Sequence, residues 1–219
     1  MDKAIVLLSG GQDSTTCLFW ALKRFSKVVA ISFDYGQRHS IELQQAKKIT
    51  QILEIEHHIF TAPALHEIGT TALTSSVNIS VNQNTGLPNT FVPGRNLVFL
   101  TIAAGWGYLN DYHDIVTGVC QVDFSGYPDC RFDFIQSAEK TLQLALELPS
   151  LKIHTPLMFL SKSEIWKLSQ DLDALDFIAE HTHTCYYGNR EIKHAWGYGC
   201  GICPACELRK KGFEDALGR

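Results

Sequence analysis

The first sixty residues alternate between apolar runs and segments with helical spacing. Residues 3–8 form a run that is apolar from Ala4 onward and ends near a pair of glycines, which is typical of a buried strand in a parallel sheet. Apolar side chains between positions 17 and 25 then recur every three or four residues, which predicts a helix with one apolar face. Residues 27–33 and 56–60 predict two more strands, with a helix over 41–53 between them. This order predicts an α/β fold with a parallel sheet and right-handed crossovers.

The middle of the chain interrupts this alternation. Residues 61–95 are rich in threonine, serine and asparagine, and they predict a long loop that we interpret as a lid. Beyond it the apolar pattern predicts one strand and three helices: the strand at 115–119 and the helices at 96–109, 133–148 and 161–172. Ser161 and Glu164 form a capping-box pattern at the start of the last helix. Asp13 or Ser14 is suited to cap the first helix.

Composition narrows the class of protein. The chain has 219 residues, of which 45% are hydrophobic and 19% charged, so it suits one globular domain or one domain with a small appendage. The net charge of -4 provides no basic field, so we expect small-molecule substrates and no direct nucleic-acid binding. No apolar run reaches the ~18 residues that span a bilayer, and the first is too short for a signal peptide. We therefore expect a cytoplasmic protein without membrane contact.

Six residues between the first predicted strand and helix read Ser9-Gly10-Gly11-Gln12-Asp13-Ser14. The two glycines permit a tight turn and a close approach of a ligand to the backbone. The helix that follows directs its free N–H groups and its positive dipole end at the loop, so the segment predicts an anion-binding site. It matches neither the Walker-type phosphate loop nor the dinucleotide fingerprint. A glycine-rich turn without a ligand is the alternative interpretation.

The cysteines indicate a metal site. The chain has seven, and the odd count without a signal peptide argues against a disulfide framework. Four of them lie near the C-terminus, with C-x-x-C spacing among the last three: Cys185, Cys200, Cys203 and Cys206. Four thiolates suit one tetrahedral structural Zn²⁺. His181, His183 and His194 are alternatives to Cys185, and an iron–sulfur cluster or plain buried thiols are alternatives to zinc.

The hexapeptide resembles the signature of the PP-loop ATP pyrophosphatases, which cleave ATP to AMP and pyrophosphate. The resemblance implies a doubly wound, adenine nucleotide alpha hydrolase-like sheet. It also implies that the loop holds the pyrophosphate part of ATP, that Asp13 helps to place Mg²⁺, and that adenine lies near the end of the second strand. The implied nucleotide-binding residues are Leu8, Ser9, Gly10, Gly11, Gln12, Asp13, Ser14, Tyr35, Gln37, Arg38 and His39. Arg38 and His39 could instead be ordinary surface residues.

Two further segments and the cysteine set narrow the resemblance to one family of PP-loop enzymes. Residues 91–96 and 123–131 are similar to those of the 7-cyano-7-deazaguanine synthase family of queuosine biosynthesis. The resemblance implies a ligase that forms C–N bonds, converting 7-carboxy-7-deazaguanine, free ammonia and ATP to the nitrile through adenylated intermediates. It also implies a homodimer. Residues 1–180 would form the ATP-binding domain, with a zinc module at 181–219 packed on it as a single structural unit.

Several side chains have roles that this resemblance implies. The implied catalytic residues are Asp13, Arg95 and Lys162, and the implied substrate-binding residues are Phe91, Arg95, Asn96, Asp123, Ser125, Tyr127 and Asp129. Arg95 suits a two-pronged contact with a carboxylate or the α-phosphate. Lys162 lies at a predicted helix start, where a cation is unfavourable unless it binds an anion such as phosphate.

The other roles stay open between alternatives. Asn96 either caps the next helix or holds substrate. Asp123 or Asp129 could accept hydrogen bonds from a guanine-like edge. Tyr127 and Phe91 could stack on the deazapurine, although Phe91 is equally suited to the core.

Three rival functions share some of these features. One is another PP-loop ligase or a tRNA-modifying adenylating enzyme, which would share the loop and the zinc. Another is a zinc-stapled nucleotide-binding module without catalysis. The third is an iron–sulfur redox protein.

Overall fold

A computed structural model of the protein describes most of the chain. The described residues are 2–37, 40–69, 71–74, 77, 80–81, 83, 86–122 and 126–218.

The centre of the fold is a sheet of five parallel strands within the described residues. In chain order these are β1 (Lys3–Leu7), β2 (Lys27–Asp34), β3 (Glu56–Thr61), β4 (Asp114–Val116) and β5 (Lys152–His154). They lie in the order β3-β2-β1-β4-β5, so the direction of chain progression reverses between β1 and β4. In open α/β sheets, ligands bind at the carboxyl ends of the strands at such a reversal. The parallel sheet that the sequence predicts is confirmed.

Helices cover both faces of the sheet. They are α1 (Gln12–Leu22), α2 (Ile41–Ile52), α3 (Ala64–Glu67), α4 (Arg95–Asn110), α5 (Phe132–Ala145), α6 (Lys162–Asp171), α7 (Leu175–His181) and α8 (Pro204–Leu217). A short antiparallel hairpin, β6 (Lys193–His194) and β7 (Gly197–Tyr198), lies between α7 and α8.

Side chains of β1 alternate between two apolar cores, as the period of a strand requires. Ile5 belongs to a core that the sheet forms with α4 and α5. Ala4 and Val6 belong to a core on the opposite face, with residues of α1 and α2. The doubly wound architecture is therefore confirmed.

A third apolar core joins the C-terminal segment to α6 and α7. The ring of Trp166 in α6 contacts that of Phe213 in α8 at 5.1 Å between centroids. The indole nitrogen of Trp166 also donates to the carbonyl oxygen of Arg209 at 3.2 Å. These contacts cross the predicted boundary at residue 180; the division into 1–180 and 181–219 stays a prediction.

Several predictions of local structure need correction. The predicted capping of the first helix by Asp13 or Ser14 is wrong, because α1 begins at Gln12 with Gly11 as its N-cap. The predicted loop over 61–95 contains α3, and β4 is shorter than the predicted strand at 115–119. The sequence interpretation also missed β5, α7, α8 and the hairpin of β6 and β7. The capping box at Ser161 is confirmed: its side chain accepts from the backbone of Glu164, whose carboxylate accepts in return.

No helix among the described residues is long and apolar enough to span a membrane.

Candidate active site

The phosphate loop follows β1 at the carboxyl edge of the sheet, where the chain order reverses. Gly10 has a φ of 85°, a left-handed conformation that favours glycine. A Cβ at Gly10 would lie 2.3 Å from the carbonyl oxygen of Glu42 and 2.8 Å from the backbone nitrogen of Ala46. Gly10 therefore allows the backbone of α2 to pack directly on the loop, a contact that the sequence did not indicate.

Hydrogen bonds within the loop hold its two serines together. The hydroxyl groups of Ser9 and Ser14 lie 3.0 Å apart, and the Ser14 hydroxyl also donates to the carbonyl oxygen of Gly11 at 3.3 Å. The backbone N–H groups in the first turn of α1 have no intrahelical acceptors. The loop is therefore shaped to present N–H donors to an anion.

The other predicted loop residues are buried. The side chain of Leu8 belongs to the core, and its carbonyl oxygen accepts from the Ser32 hydroxyl at 2.5 Å. Gln12 is also buried, and its side-chain nitrogen has no partner among the described residues. Any contact between Leu8 and a ligand therefore involves its backbone.

Gly118, two residues after the end of β4, lies beside the start of α1 at this edge of the sheet. A Cβ at Gly118 would lie 3.0 Å from the backbone nitrogen of Ser14 and 3.1 Å from the carbonyl carbon of Asp13. Only glycine lets the β4 loop approach the start of α1 this closely. The sequence interpretation missed Gly118, because it placed this glycine inside the predicted strand at 115–119 rather than in the loop after β4.

Asp13 and Lys162 form an ion pair at the loop. The Lys162 ammonium donates to both carboxylate oxygens of Asp13, at 3.0 and 2.9 Å. Lys162 is the first residue of α6, as predicted, and its side chain is 10% exposed against 27% for Asp13. A lysine at a positive helix end needs such a nearby anion.

The C-terminal third also supports the loop. The backbone N–H of His183 donates to the carbonyl oxygen of Gly10 at 2.9 Å. The His183 side chain is fully buried, and its Nε2 lies 3.1 Å from the carbonyl oxygen of Cys185. The chain that leads to the first clustered cysteine therefore passes directly over the phosphate loop.

The end of β2 carries the residues predicted to lie near adenine. Tyr35 is buried, and the Gln37 side chain folds back, accepting from the backbone N–H of Tyr35 at 3.0 Å and donating to the carbonyl oxygen of Phe33 at 3.3 Å. A surface pocket of about 400 Å³ opens beside these residues. It is lined by Asp34, Tyr35, Gly36, Thr61, Pro63, His66 and Glu67.

A chain of hydrogen bonds lies behind this strand end. The Ser32 hydroxyl lies 2.7 Å from His57 Nε2, and His57 Nδ1 lies 3.1 Å from the Thr50 hydroxyl. Because Ser32 donates its proton to the carbonyl oxygen of Leu8, it must accept from His57 Nε2–H. Burial lowers the pKa of His57 to about 4, with smaller contributions from nearby cations, so its ring is neutral at pH 7.

A second group of predicted residues lies around the start of α4. One carboxylate oxygen of Asp129 accepts from the backbone N–H of Asn96 at 3.1 Å. The Asn96 side chain donates to the carbonyl oxygen of Asp129 at 3.0 Å. Asn96 is thus in the first turn of α4, whose N-cap is Gly94, and the alternative that Asn96 caps this helix is wrong.

The two predicted stacking residues contact each other. The rings of Phe91 and Tyr127 lie 5.6 Å apart between centroids and 27° from parallel. The Tyr127 hydroxyl is hydrogen-bonded to Thr90, which is buried.

Arg95 and Glu42 link the phosphate loop to the residues around the start of α4. Burial would lower the pKa of Arg95, but Tyr35 and Asp129 outweigh it and hold that pKa above its ordinary value. Its Nε has no hydrogen-bond acceptor among the described residues. Burial raises the pKa of Glu42 to about 7, although Arg95 opposes the shift. The carboxyl group of Glu42 therefore interacts electrostatically with Arg95, and the backbone of Glu42 packs against the phosphate loop. The sequence interpretation missed Glu42.

Four predicted residues lie outside the described ranges: Arg38, His39, Asp123 and Ser125.

The four clustered cysteines converge on one point. Their sulfur atoms all lie within 4.8 Å of one another. The sulfurs of Cys200 and Cys206 are 3.9 Å apart, and those of Cys203 and Cys185 are 4.0 Å apart. Sulfurs bound tetrahedrally to zinc at ~2.3 Å lie ~3.8 Å apart, so the set fits this ion.

The charges of these thiols also favour a cation. Hydrogen bonds from Cys203 and Cys206 hold the pKa of Cys185 well below its ordinary value. The contact with Cys185 in turn raises the pKa of Cys203 to about 11 and that of Cys206 further. A bound cation would favour the deprotonated thiolates that serve as its ligands.

Comparison with known families decides the classification. A family model described as queuosine biosynthesis protein QueC matches residues 3–217. The chain belongs to this family. Two similar relatives are named 7-cyano-7-deazaguanine synthase. The relative from Nitrobacter winogradskyi is 50% identical over 99% of this chain and 95% of its own length. That from Rhodopseudomonas palustris is 52% identical over 97% and 94%.

Solved structures share the fold at low identity. A 4-thiouridine synthetase, in an RNA complex with bound ATP, superposes with a TM-score of 0.53 at 17% identity, over 99% of this chain and 52% of that chain. The NMN synthetase of Francisella tularensis has a TM-score of 0.51 at 18% identity, over 81% and 63%. These structures show the shared fold, and the predicted family is confirmed by the family model and the relatives.

Proposed function

We propose that this protein is a 7-cyano-7-deazaguanine synthase, a ligase that forms C–N bonds from 7-carboxy-7-deazaguanine, ammonia and ATP. The observation that carries the proposal is that the phosphate loop and the polar residues around Arg95 lie beside each other. The anion-binding loop with Asp13 and Lys162 contacts Glu42 on one side, and Glu42 faces Arg95 on the other. The identity of the substrate rests on the names of the relatives.

The chemistry explains why ATP is needed. A carboxylate is a poor electrophile because hydroxide is a poor leaving group. Attack of the carboxylate on the α-phosphorus of ATP releases pyrophosphate and gives an acyl adenylate, from which ammonia displaces AMP to form the amide. Adenylation of the amide oxygen by a second ATP, followed by loss of AMP and protons, gives the nitrile. Each nitrile therefore consumes two ATP and releases two AMP and two pyrophosphate.

At the phosphate loop, we assign the pyrophosphate to the N–H groups of residues 9–14. The ion pair between Asp13 and Lys162 holds both charges at the loop. Binding of ATP with Mg²⁺ would give each a new partner: the metal for the Asp13 carboxylate and a phosphate oxygen for the Lys162 ammonium. Because the ion pair already holds both side chains at the loop, neither would need to move far to reach its new partner.

At the substrate side, Arg95 suits the carboxylate or the α-phosphate, because its Nε has no acceptor among the described residues. Asp129 uses one oxygen for Asn96, and its other oxygen suits the N1–H and amino group of the deazaguanine. The Phe91–Tyr127 pair offers an aromatic surface for the base. Asp123 and Ser125, which precede Tyr127 in the chain, remain candidate substrate-binding residues.

The remaining parts of the proposal concern cofactors and assembly. The four cysteines would hold one structural Zn²⁺, since a Cys₄ site leaves no position for substrate. The pocket beside Tyr35 would receive adenine, together with Gln37, Arg38 and His39. We further propose a cytoplasmic homodimer.

The test measures AMP release from ATP by the purified protein, with ammonium and 7-carboxy-7-deazaguanine supplied together or one at a time. AMP that forms only with the acid, and a nitrile that forms once ammonium is added, would support the proposal. AMP release without the acid, or release of ADP, would contradict it. Retention of tRNA at physiological salt would favour a tRNA-modifying ligase instead.

A further inference from the structure

The first turn of α6 packs directly on α8 at Gly212. A Cβ at Gly212 would lie 2.5 Å from Cγ of Lys162, 2.8 Å from its Cβ and 3.0 Å from its carbonyl carbon. These atoms belong to the side-chain stem and the backbone rather than to a mobile tip. A methyl group at this position can therefore be accommodated only if α6, α8 or the Lys162 side chain moves.

Local structure does not explain the glycine. Gly212 lies inside α8, where glycine is less favourable than alanine, and it is not among the glycines with positive φ. It is also buried against the neighbouring helix. Close packing against Lys162 is the physical reason for glycine here.

The Lys162 side chain, whose stem packs against Gly212, ends at the phosphate loop. From its stem beside Gly212, Lys162 extends to Asp13, where its ammonium contacts both carboxylate oxygens at 3.0 and 2.9 Å. A shift of the stem would be transmitted to the ammonium, because the side chain is 10% exposed and has little room to take another route.

The same helix carries part of the cysteine cluster. Cys203 is the N-cap of α8, and Cys206 lies in its first turn. One turn before Gly212, the fully buried Arg209 donates to the carbonyl oxygen of Trp196 at 2.9 Å and to the Thr184 hydroxyl at 2.8 Å. These contacts fix the position of α8 relative to the rest of the C-terminal segment.

We infer that Gly212 is a positioning residue for Lys162, so that the cysteine-bearing helix α8 forms one wall of the nucleotide site. The inference rests on the proposed function, in which Lys162 contacts the phosphates of ATP. It assigns to the C-terminal segment a part in binding ATP besides its part in holding a metal.

The test compares Gly212→Ala with Gly105→Ala, a matched control. Gly105 is also inside a helix, α4, but a Cβ there would meet no atom within 4 Å. Calorimetric titration with ATP–Mg²⁺ and with pyrophosphate–Mg²⁺ gives the dissociation constants, and turnover gives KM for each substrate. We expect Gly212→Ala to weaken both ligands about tenfold or more, as for loss of a charged hydrogen bond. KM for the acid, the metal content and the Gly105→Ala constants should stay unchanged.

A double-mutant cycle separates positioning from a general defect. Lys162→Ala removes the ammonium and the Cγ that lies nearest to the added methyl group. In that background Gly212→Ala should cause no further loss of ATP affinity, and it should lower the melting temperature less than in the native background. Additive losses of affinity would overturn the inference. The comparison of melting temperatures can be made even where Gly212→Ala alone folds poorly.

The outcomes also separate the two proposals. A native protein that binds neither ATP nor pyrophosphate would contradict the proposed function and this inference with it. A native protein that binds ATP, together with a Gly212→Ala variant of equal affinity, would overturn the inference alone.

Discussion

Gly10 is the position where the phosphate loop is expected to tolerate substitution least. Its φ of 85° and its contact with the backbone of α2 both exclude a side chain. The neighbouring Gly11 differs on both counts: its φ is -83°, and a Cβ there would meet the His183 carbonyl oxygen and the Ser9 hydroxyl only at 3.4 Å. Replacing each glycine with alanine therefore makes the same chemical change in two different environments.

The expected loss for Gly10→Ala follows from two causes. A left-handed conformation costs an alanine about 1–2 kcal/mol, and overpacking of a filled site costs about 1–3 kcal/mol. Alanine also restricts the unfolded chain, which returns about 0.4–1 kcal/mol. The net decrease in the free energy of unfolding is about 3 kcal/mol, or roughly 6–12 °C in melting temperature for a chain of this size. For Gly11→Ala we expect less than about 1 kcal/mol.

The assay is denaturant unfolding of both variants without nucleotide, so that ligand binding does not contribute to stability. Thermal melting of the same samples provides a second measurement. Equal losses for the two variants, or a loss below about 0.5 kcal/mol for Gly10→Ala, would refute the argument. A loss this small for Gly10→Ala would mean that the loop and α2 separate without cost. The close contact of Gly10 with Glu42 and Ala46 would then not determine the shape of the site.

Three further predictions concern the site and its surroundings. Arg95→Ala should abolish AMP release while its circular-dichroism spectrum at the assay temperature matches that of the native protein; normal turnover would remove Arg95 from the proposed mechanism. Stability should fall as the pH drops from about 6.5 to 4, because unfolded His57 binds a proton in this range whereas the folded ring, with its pKa near 4, does not. His57→Gln should weaken that dependence, and an identical pH profile would assign it to other groups. Cys203→Ser should lower both metal content and melting temperature, measured by elemental analysis and calorimetry; full metal occupancy in this variant would exclude Cys203 as a ligand.

Sequence patterns predicted most of the long elements, although α8, with fourteen residues, was missed. The apolar runs that became β1 and β2 are five and eight residues long in the structure, and α2 has twelve. By contrast, β5 has three residues, of which only Ile153 is both apolar and buried. Such a short strand is defined by its pairing with β4, and that pairing leaves no periodicity in the sequence.

The site was predictable where its chemistry is local. The hexapeptide and the C-x-x-C steps bring their groups together through neighbouring residues. Glu42, Gly118 and Gly212 were missed because each acts through contact with a distant segment. An isolated glycine in a helical pattern such as Gly212 indicates close packing in general, but only the structure identifies Lys162 as its neighbour.

The shape of the phosphate loop is therefore a property of the whole chain. Gly10 is contacted by α2 through Glu42 and by the C-terminal segment through His183, which donates to its carbonyl oxygen. Asp13 is held by Lys162 from a third segment. Two of these three supports come from residues beyond 160, far along the chain from the loop. Because preorganised donors bind an anion without the cost of ordering them, a segment that carries no phosphate contact of its own can still determine how well the loop binds phosphate. His183 lies two residues before Cys185, so the segment that supports Gly10 is the one that enters the cysteine cluster.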